Sequence, residues 1–261
     1  MTIDLWPAGR MPGTAVQLPE GERPSTGDGV VRLTNVSRPQ ITVFKPIAAK
    51  SPTPAIIVCP GGGYEILAYN KEGGEIANWL ASIGITGLLL KYRVPANRDG
   101  AFFDIQRAIR LVRHNASAWG IDPQCVGAMG FSAGAHLSAR LSTNPTLVAT
   151  YPHLDAADQL SDRPDFAVLV YPAYLGEDGR PAAELPLTAS VPPTFIAQAE
   201  DDHKYISGTR TYAAAMKAAG ASVEFKAYTS GGHGHGLRST GTAAVWPKDC
   251  ETWLRAQEIL R

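Results

Sequence analysis

Three short stretches of this 261-residue chain hold the residue types that can do chemistry. The first is Gly130-Phe131-Ser132-Ala133-Gly134, a G-x-S-x-G pattern. A serine hydroxyl is a poor nucleophile until a base takes its proton; the base is usually a histidine held in the right tautomer by a carboxylate. The second stretch, Glu200-Asp201-Asp202-His203, supplies carboxylates, and the third, Gly231-Gly232-His233-Gly234-His235-Gly236, supplies imidazoles. The chemistry this set points to is acyl transfer. Its transition state carries an oxyanion that needs N–H donors. One is the amide of the residue after the nucleophile, Ala133. The other comes from the loop Gly61-Gly62-Gly63, where missing side chains let backbone amides face a substrate.

These groups need strands to aim them. Val126 to Gly130 is a short apolar run, and Ala133 to Leu141 is compatible with a helix. G-x-S-x-G between a strand and a helix is a nucleophile elbow, a turn so tight that only small residues fit beside the serine. Thr194 to Ala199 reads as a strand running into the acidic stretch, and Ser222 to Tyr228 as a strand running into the glycine-histidine stretch. Asp202 is preferred over Asp201 because it lies further into its loop, and Ser207 is expected to cap the helix Ser207 to Ala219. His233 is preferred over His235 because it comes first, with both histidines open as the base. The His-x-His pair lacks a third ligand at metal spacing, so no metal is expected. Pro60 and the absence of Gly-Lys-Ser/Thr argue against a phosphate loop and leave no cofactor implied.

The rest of the chain reads as alternating strands and helices. Ala55 to Cys59 and Ile85 to Tyr92 are apolar runs suited to central strands covered on both faces. Asp165 to Tyr171 is another strand. Glu72 to Ile83 and Phe102 to Trp119 have helical spacing; in the latter Phe102, Ile105, Ile109 and Val112 share one face while Asp104, Arg107, Arg110 and Arg113 take mostly the other. Ala243 to Leu260 reads as a closing helix interrupted early by Pro247. This alternation predicts an open, mostly parallel α/β sheet with helices on both faces, in a single domain over residues 1–261. Residues 1–29, rich in glycine, proline and charge, are expected to form an extended arm. Val30 to Val36 and Gln40 to Phe44 are expected to pair with each other as an antiparallel start to the sheet. Ser142 to Pro164 and Ala173 to Pro193 lack clear periodicity and are either walls of the site, a small lid, or surface connections.

Composition narrows the function classes. Hydrophobic residues make up 44 % and charged residues 18 %, an ordinary globular balance. Lys plus Arg and Asp plus Glu are both 24, so nothing invites nucleic acid, and no apolar stretch approaches a membrane span. Cys59, Cys125 and Cys250 are expected to be buried, reduced thiols. The first residues have no basic n-region and no apolar h-region, so a cytoplasmic location is the expectation. His136 is read as a structural helix histidine under the elbow; Tyr64 and Tyr69 either line the pocket or simply pack.

Taken together, the sequence resembles the α/β-hydrolase superfamily, and more narrowly the bacterial acetylxylan esterases and bifunctional feruloyl/acetyl esterases. The resemblance runs over nearly the whole chain. It is carried by Leu5-Trp6-Pro7, Cys59-Pro60-Gly61-Gly62-Gly63-Tyr64, Lys91-Tyr92-Arg93, Arg107-Ala108-Ile109-Arg110, Gly130-Phe131-Ser132-Ala133-Gly134, Glu200-Asp201-Asp202 and Gly231-Gly232-His233-Gly234. It implies Ser132, Asp202 and His233 as a catalytic triad and Gly62, Gly63 and Ala133 as oxyanion donors. It also implies little or no separate cap, and a cofactor-free serine carboxylesterase acting on short acyl esters, acetyl foremost, of small molecules or oligosaccharides. Pro60 stands where lipase-type relatives carry histidine, which argues against that branch; His235 stands where relatives often carry an aromatic residue. A peptidase or thioesterase of the same fold is the competing enzyme reading, and a silenced binding protein the competing non-enzyme one. A homo-oligomer stays open.

Overall fold

The computed structural model describes residues 1–47, 52–144 and 151–260. In chain order its strands are β1 (Thr2–Asp4), β2 (Gly21–Glu22), β3 (Arg32–Thr34), β4 (Gln40–Phe44), β5 (Thr53–Cys59), β6 (Leu67–Ala68), β7 (Thr86–Lys91), β8 (Ile121–Phe131), β9 (Ala167–Val170), β10 (Gly176–Glu177), β11 (Arg180–Pro181), β12 (Thr194–Ala199) and β13 (Val223–Tyr228). The α-helices are α1 (Glu75–Ser82), α2 (Arg98–His114), α3 (Ala116–Trp119), α4 (Ala133–Thr143), α5 (Ile206–Ala218) and α6 (Trp246–Ala256).

Eight strands form the central sheet in the order β1-β4-β7-β5-β8-β9-β12-β13. All pairs from β7 to β13 are parallel, and β4 joins β7 and β1 antiparallel. The period-2 alternation of strands sends neighbours to opposite faces. In β5, Ile56 and Val58 pack with α1 and α6 side chains such as Leu80 and Trp246, while Ala55, Ile57 and Cys59 pack with α2 side chains such as Ile105 and Ile109. Further along that second face, Leu169 of β9 and Ile196 of β12 pack with Ala139 of α4 and Met216 of α5. Helices therefore cover both faces, which is why β5, β7, β9 and β12 are apolar almost throughout.

Several sequence expectations need correction. The N-terminal arm is tied down at several points that the sequence did not show. Thr2–Asp4 is an edge strand of the main sheet, Leu5 and Trp6 are buried, and Gly21–Glu22 pairs with β3. β3 does not pair with β4; it joins β2 and β6 in a separate three-stranded sheet. The helix read as Phe102 to Trp119 starts four residues earlier, where the Asn97 side chain accepts from the Gly100 amide, and breaks at Asn115. Its charged face is not solvated: Asp104, Arg107 and Arg110 are buried. Ser207 is not a cap but lies inside α5, whose N-terminus at Tyr205 has no side-chain cap. Pro247 does not interrupt the closing helix; it sits in the first turn of α6, where its missing N–H leaves no intrahelical bond unmade. Cys59 and Cys250 are buried free thiols, with burial pushing Cys59 up to about 12, whereas Cys125 is only half-buried. No helix among the described residues is long and apolar enough to cross a membrane.

Candidate active site

Parallel strands present their carboxyl ends at one edge, so β5, β8, β12 and β13 all deliver their following loops to the same place. Ser132 follows β8. Its backbone has φ +52° and ψ −117°, a conformation that costs a non-glycine residue about 1–3 kcal/mol and survives only where the surroundings fix it. The flanking glycines explain the fixing. A Cβ on Gly130 would lie 2.1 Å from the Gly134 carbonyl oxygen, and one on Gly134 would lie 2.1 Å from the Cys59 carbonyl oxygen. The turn is wedged between its own helix and β5, and only hydrogen fits.

Asp202, after β12, and His233, after β13, reach the same serine. His233 Nε2 is 2.7 Å from Ser132 Oγ, and His233 Nδ1 is 2.6 Å from Asp202 Oδ2. With Nδ1 as donor, Nε2 is left to accept the serine proton. Asp202 is buried and also accepts from Gln198 Nε2 at 2.5 Å. The two residues left open by the sequence do other things. Asp201 accepts from the Gly232 and Gly231 amides at 2.8 and 3.2 Å, bracing the loop that carries His233 and holding its own carboxyl below the usual value. His235 has Nδ1 3.0 Å from the Gly236 carbonyl oxygen and lies edge-on to Tyr171 at 4.5 Å; burial depresses its pKa.

Gly62 and Gly63 lie beside Ser132 in the same cleft. Gly62 has φ +132°, and a Cβ there would meet the Ile66 carbonyl oxygen at 2.2 Å, so the loop can only be built from glycine. Among the described residues neither amide of Gly62 and Gly63 donates to a turn or loop acceptor. The Ala133 amide opens α4, where the first turn has no intrahelical acceptor.

Some residues of the site escaped the sequence reading. Glu72 lies in a π-helical turn, Asn70–Gly74, that precedes α1. It is buried and accepts from the Gly61 amide at 2.8 Å and the Tyr171 hydroxyl at 2.9 Å. Tyr171 in turn accepts from the Gly236 amide at 2.8 Å. One carboxylate thus links the glycine loop to the histidine loop. Burial pushes the Glu72 carboxyl above its usual value, opposed by the Tyr171 and Gly61 hydrogen bonds. A π-turn in an otherwise regular helix start is a common mark of functional sites, but it has no residue signature that a periodicity reading would detect.

The cleft above Ser132 has a volume of about 460 Å³. One wall is the small sheet, through Arg32, Ile66 and Ala68; another is Tyr174, Lys204 and Tyr205. Of the two segments without periodicity, the second contributes Tyr174 to the cleft. In the first, the described residues 151–164 pack against α2 instead, and residues 145–150 lie outside the described residues. Tyr64 does not line the cleft: it is buried, with its hydroxyl 2.8 Å from His136 Nδ1. Tyr69 packs against the core. His136 is buried, 3.2 Å from Glu184 through Nε2, and burial depresses its pKa to about 4. Among the described residues no group of three potential ligands could hold a metal ion.

The fold is shared with solved hydrolases. An acetyl ester-xyloside bifunctional hydrolase from Caldicellulosiruptor lactoaceticus superposes with a TM-score of 0.80, at 28 % identity, over 100 % of this chain and 97 % of that one. A thermophilic esterase from Thermogutta terrifontis, solved with propionate bound, matches with a TM-score of 0.72 at 25 % identity, covering 85 % of this chain and 91 % of that one. The chain has the α/β-hydrolase fold. The BD-FAE family model matches residues 41–159, from β4 to the segment packed on α2. An acetylxylan esterase from Xylanibacter ruminicola is 32 % identical over 236 residues, 79 % of this chain and 46 % of that protein. Esterase LipQ from Mycobacterium tuberculosis is 24 % identical, over 72 % of this chain and 51 % of its own. This hydrolase-fold chain spans about half the length of those two relatives, both of which are named as esterases.

Proposed function

We propose that this chain is a serine carboxylesterase that removes short acyl groups, acetyl foremost, from small alcohols and oligosaccharides. The observation that carries the reading is the continuous hydrogen-bonded chain Asp202–His233–Ser132, ending in an open cleft beside the Gly62 and Gly63 amides, which have no turn or loop acceptor among the described residues. In this reading Ser132 Oγ attacks the ester carbonyl as its proton passes to His233 Nε2. The oxyanion is met by the amides of Gly62, Gly63 and Ala133, each worth roughly 10²–10³ in rate. His233 then protonates the leaving alcohol, water attacks the acyl-serine with His233 as base, and the acid departs. Asp202 keeps the imidazole in the tautomer that accepts from serine. Acetyl esters of saccharides are the preferred substrates in this reading, since one relative is named an acetylxylan esterase and one solved neighbour an acetyl ester-xyloside bifunctional hydrolase.

The test is acetate release from acetylated xylo-oligosaccharides, run beside p-nitrophenyl acetate, butyrate and octanoate, with Ser132→Ala as control. Acetate release that disappears in the variant is the expected result. Turnover of the synthetic esters alone would discard the saccharide assignment. No turnover of any ester by folded protein would discard the esterase reading in favour of a peptidase, a thioesterase or a binding protein.

A further inference from the structure

The charge that the walls of the cleft expose is of one sign, because the carboxylates that line it are buried. Arg32, Lys71 and Lys204 line it. The two carboxylates that also line it are both buried and engaged: Glu72 with the Gly61 amide and the Tyr171 hydroxyl, Asp202 with Gln198 and His233. Arg32 is paired with Asp28. The lysines with ion-pair partners are Lys91, with Glu20, and Lys226, with Glu224; Lys71 and Lys204 have none among the described residues. The whole chain is neutral, so the exposed positive charge of the cleft is a local feature.

The positions of the two lysines say which part of an ester they would meet. In a serine esterase the alcohol leaves with the proton held on the histidine, so it departs on the histidine side of the site. Lys204 Nζ lies 5.0 Å from the Tyr205 ring centroid, and that ring lies 4.9 Å from the His233 ring. The Lys71 backbone packs against Gly236 so closely that a Cβ there would sit 2.8 Å from the Lys71 carbonyl oxygen. Both lysines therefore flank the loop that carries His233.

Resting on the esterase reading, we propose that the cleft selects esters whose alcohol part carries a carboxylate, such as an acetylated oligosaccharide bearing a uronic acid, with Lys71 and Lys204 as the specificity-determining residues. Lys204 is exposed and Lys71 half-buried, so each charge pair with substrate is worth about as much as an exposed ion pair and is screened by salt.

The experiment compares 4-acetoxybenzoate with 4-acetoxybenzamide, two acetyl esters whose leaving phenols differ by one negative charge. The quantity read is the ratio of their kcat/KM values. In a Lys71→Gln/Lys204→Gln variant the ratio is expected to fall by about three- to ten-fold, the summed effect of two exposed pairs. The corresponding double arginine variant is expected to hold the wild-type ratio. In the wild type the ratio is expected to fall as salt rises from about 20 to about 500 mM. A ratio unchanged by the glutamine substitutions, or insensitive to salt, overturns the proposal. Preference for a carboxylate only on the acyl side, read with p-nitrophenyl hemisuccinate against p-nitrophenyl butyrate, overturns it too. The probes contain no sugar, so failure of the saccharide assignment leaves this test readable. Failure to hydrolyse either phenyl acetate would remove the esterase reading and this one with it.

Discussion

Two hydrogen-bonded networks, one along α2 and one at the sheet edge, are built differently. Along α2, Asp104 accepts from Trp6 Nε1 at 2.7 Å, from the Arg93 amide at 2.9 Å and from the Arg93 guanidinium. Arg93 also donates to the carbonyl oxygens of Pro12 and Gly100. Arg107 holds Asp155, Asp158 and the Leu5 carbonyl oxygen, and Arg110 holds Tyr151, the Leu160 carbonyl oxygen and, at 3.3 Å, Asp162. Nearly every donor and acceptor is used, and the effect is to clamp the N-terminal segment and residues 151–164 onto the helix. At the sheet edge, the chain from Asp202 through His233 ends on Ser132 Oγ in an open cleft, beside glycine amides with no loop acceptor among the described residues. A saturated network has nothing left to offer a ligand. An unsaturated one, held rigid by saturated neighbours such as Glu72 and Asp201, has valence to spare for a substrate.

The contrast predicts that substitutions at the sheet edge cost rate and those along α2 cost stability. The largest effect is expected from Asp202→Asn, which turns the His233 tautomer so that Nε2 no longer accepts from serine. Ester turnover should fall by about 10⁴ with the urea midpoint little changed; a fall of less than ten-fold would mean another carboxylate does this work. Asp104→Asn removes the counter-charge of a fully buried arginine. It should lower the unfolding free energy by about 3–5 kcal/mol while leaving kcat per folded molecule near wild type. A large loss of kcat in folded Asp104→Asn would break the division between the two regions.

His136 tests the comparison by pH. It is buried beside Tyr64 and Glu184, and burial depresses its pKa from 6.5 to about 4 despite the opposing pull of Glu184. The unfolded chain therefore binds the proton more readily. The stability this group contributes is fully present above about pH 6.5 and is lost as pH falls towards 4, by an amount on the order of 2–3 kcal/mol. In denaturant titrations at pH 7 and pH 4.5, His136→Asn should show a smaller acid loss than wild type. Equal losses would mean that folding does not shift the His136 pKa. Smaller again, Glu72→Gln keeps the shape but can no longer accept from Gly61 and Tyr171 together, and should lower kcat by about ten-fold through loosened loops. Asp201→Asn should cost only a few-fold, since its amide oxygen can still take one of the two glycine amides. If Asp201→Asn cost more than Asp202→Asn, their roles would be exchanged.

Much of this was legible in residue types. Apolar runs marked β5, β7, β9 and β12 because a strand covered on both faces must be apolar along its length. Glycines marked the elbow and the loop after β5 because only hydrogen fits those contacts. The segments that misled were those whose partners are distant in sequence. β3 has a strand's composition, but composition does not say that its partners are β2 and β6 and not β4. The charged face of α2 has the pattern of a solvated helix, and only the return of Leu5, Trp6 and residues 151–164 buries it. Tyr174, Lys204 and Tyr205 carry no motif; they border the cleft because strand ends place them there.

The sequence by itself determined the local geometry around Ser132, since G-x-S-x-G permits little else between a strand and a helix, and it determined which loops bear carboxylates and imidazoles. Only the tertiary structure decided between neighbours. Asp202 rather than Asp201, and His233 rather than His235, stand in the hydrogen-bonded chain, because a shift of one or two residues in a loop redirects a side chain by several ångströms. It decided as well that Glu72 links the glycine loop after β5 to the histidine loop through Tyr171, for only packing brings Tyr171 and Gly236 to a carboxylate that the chain keeps far from both.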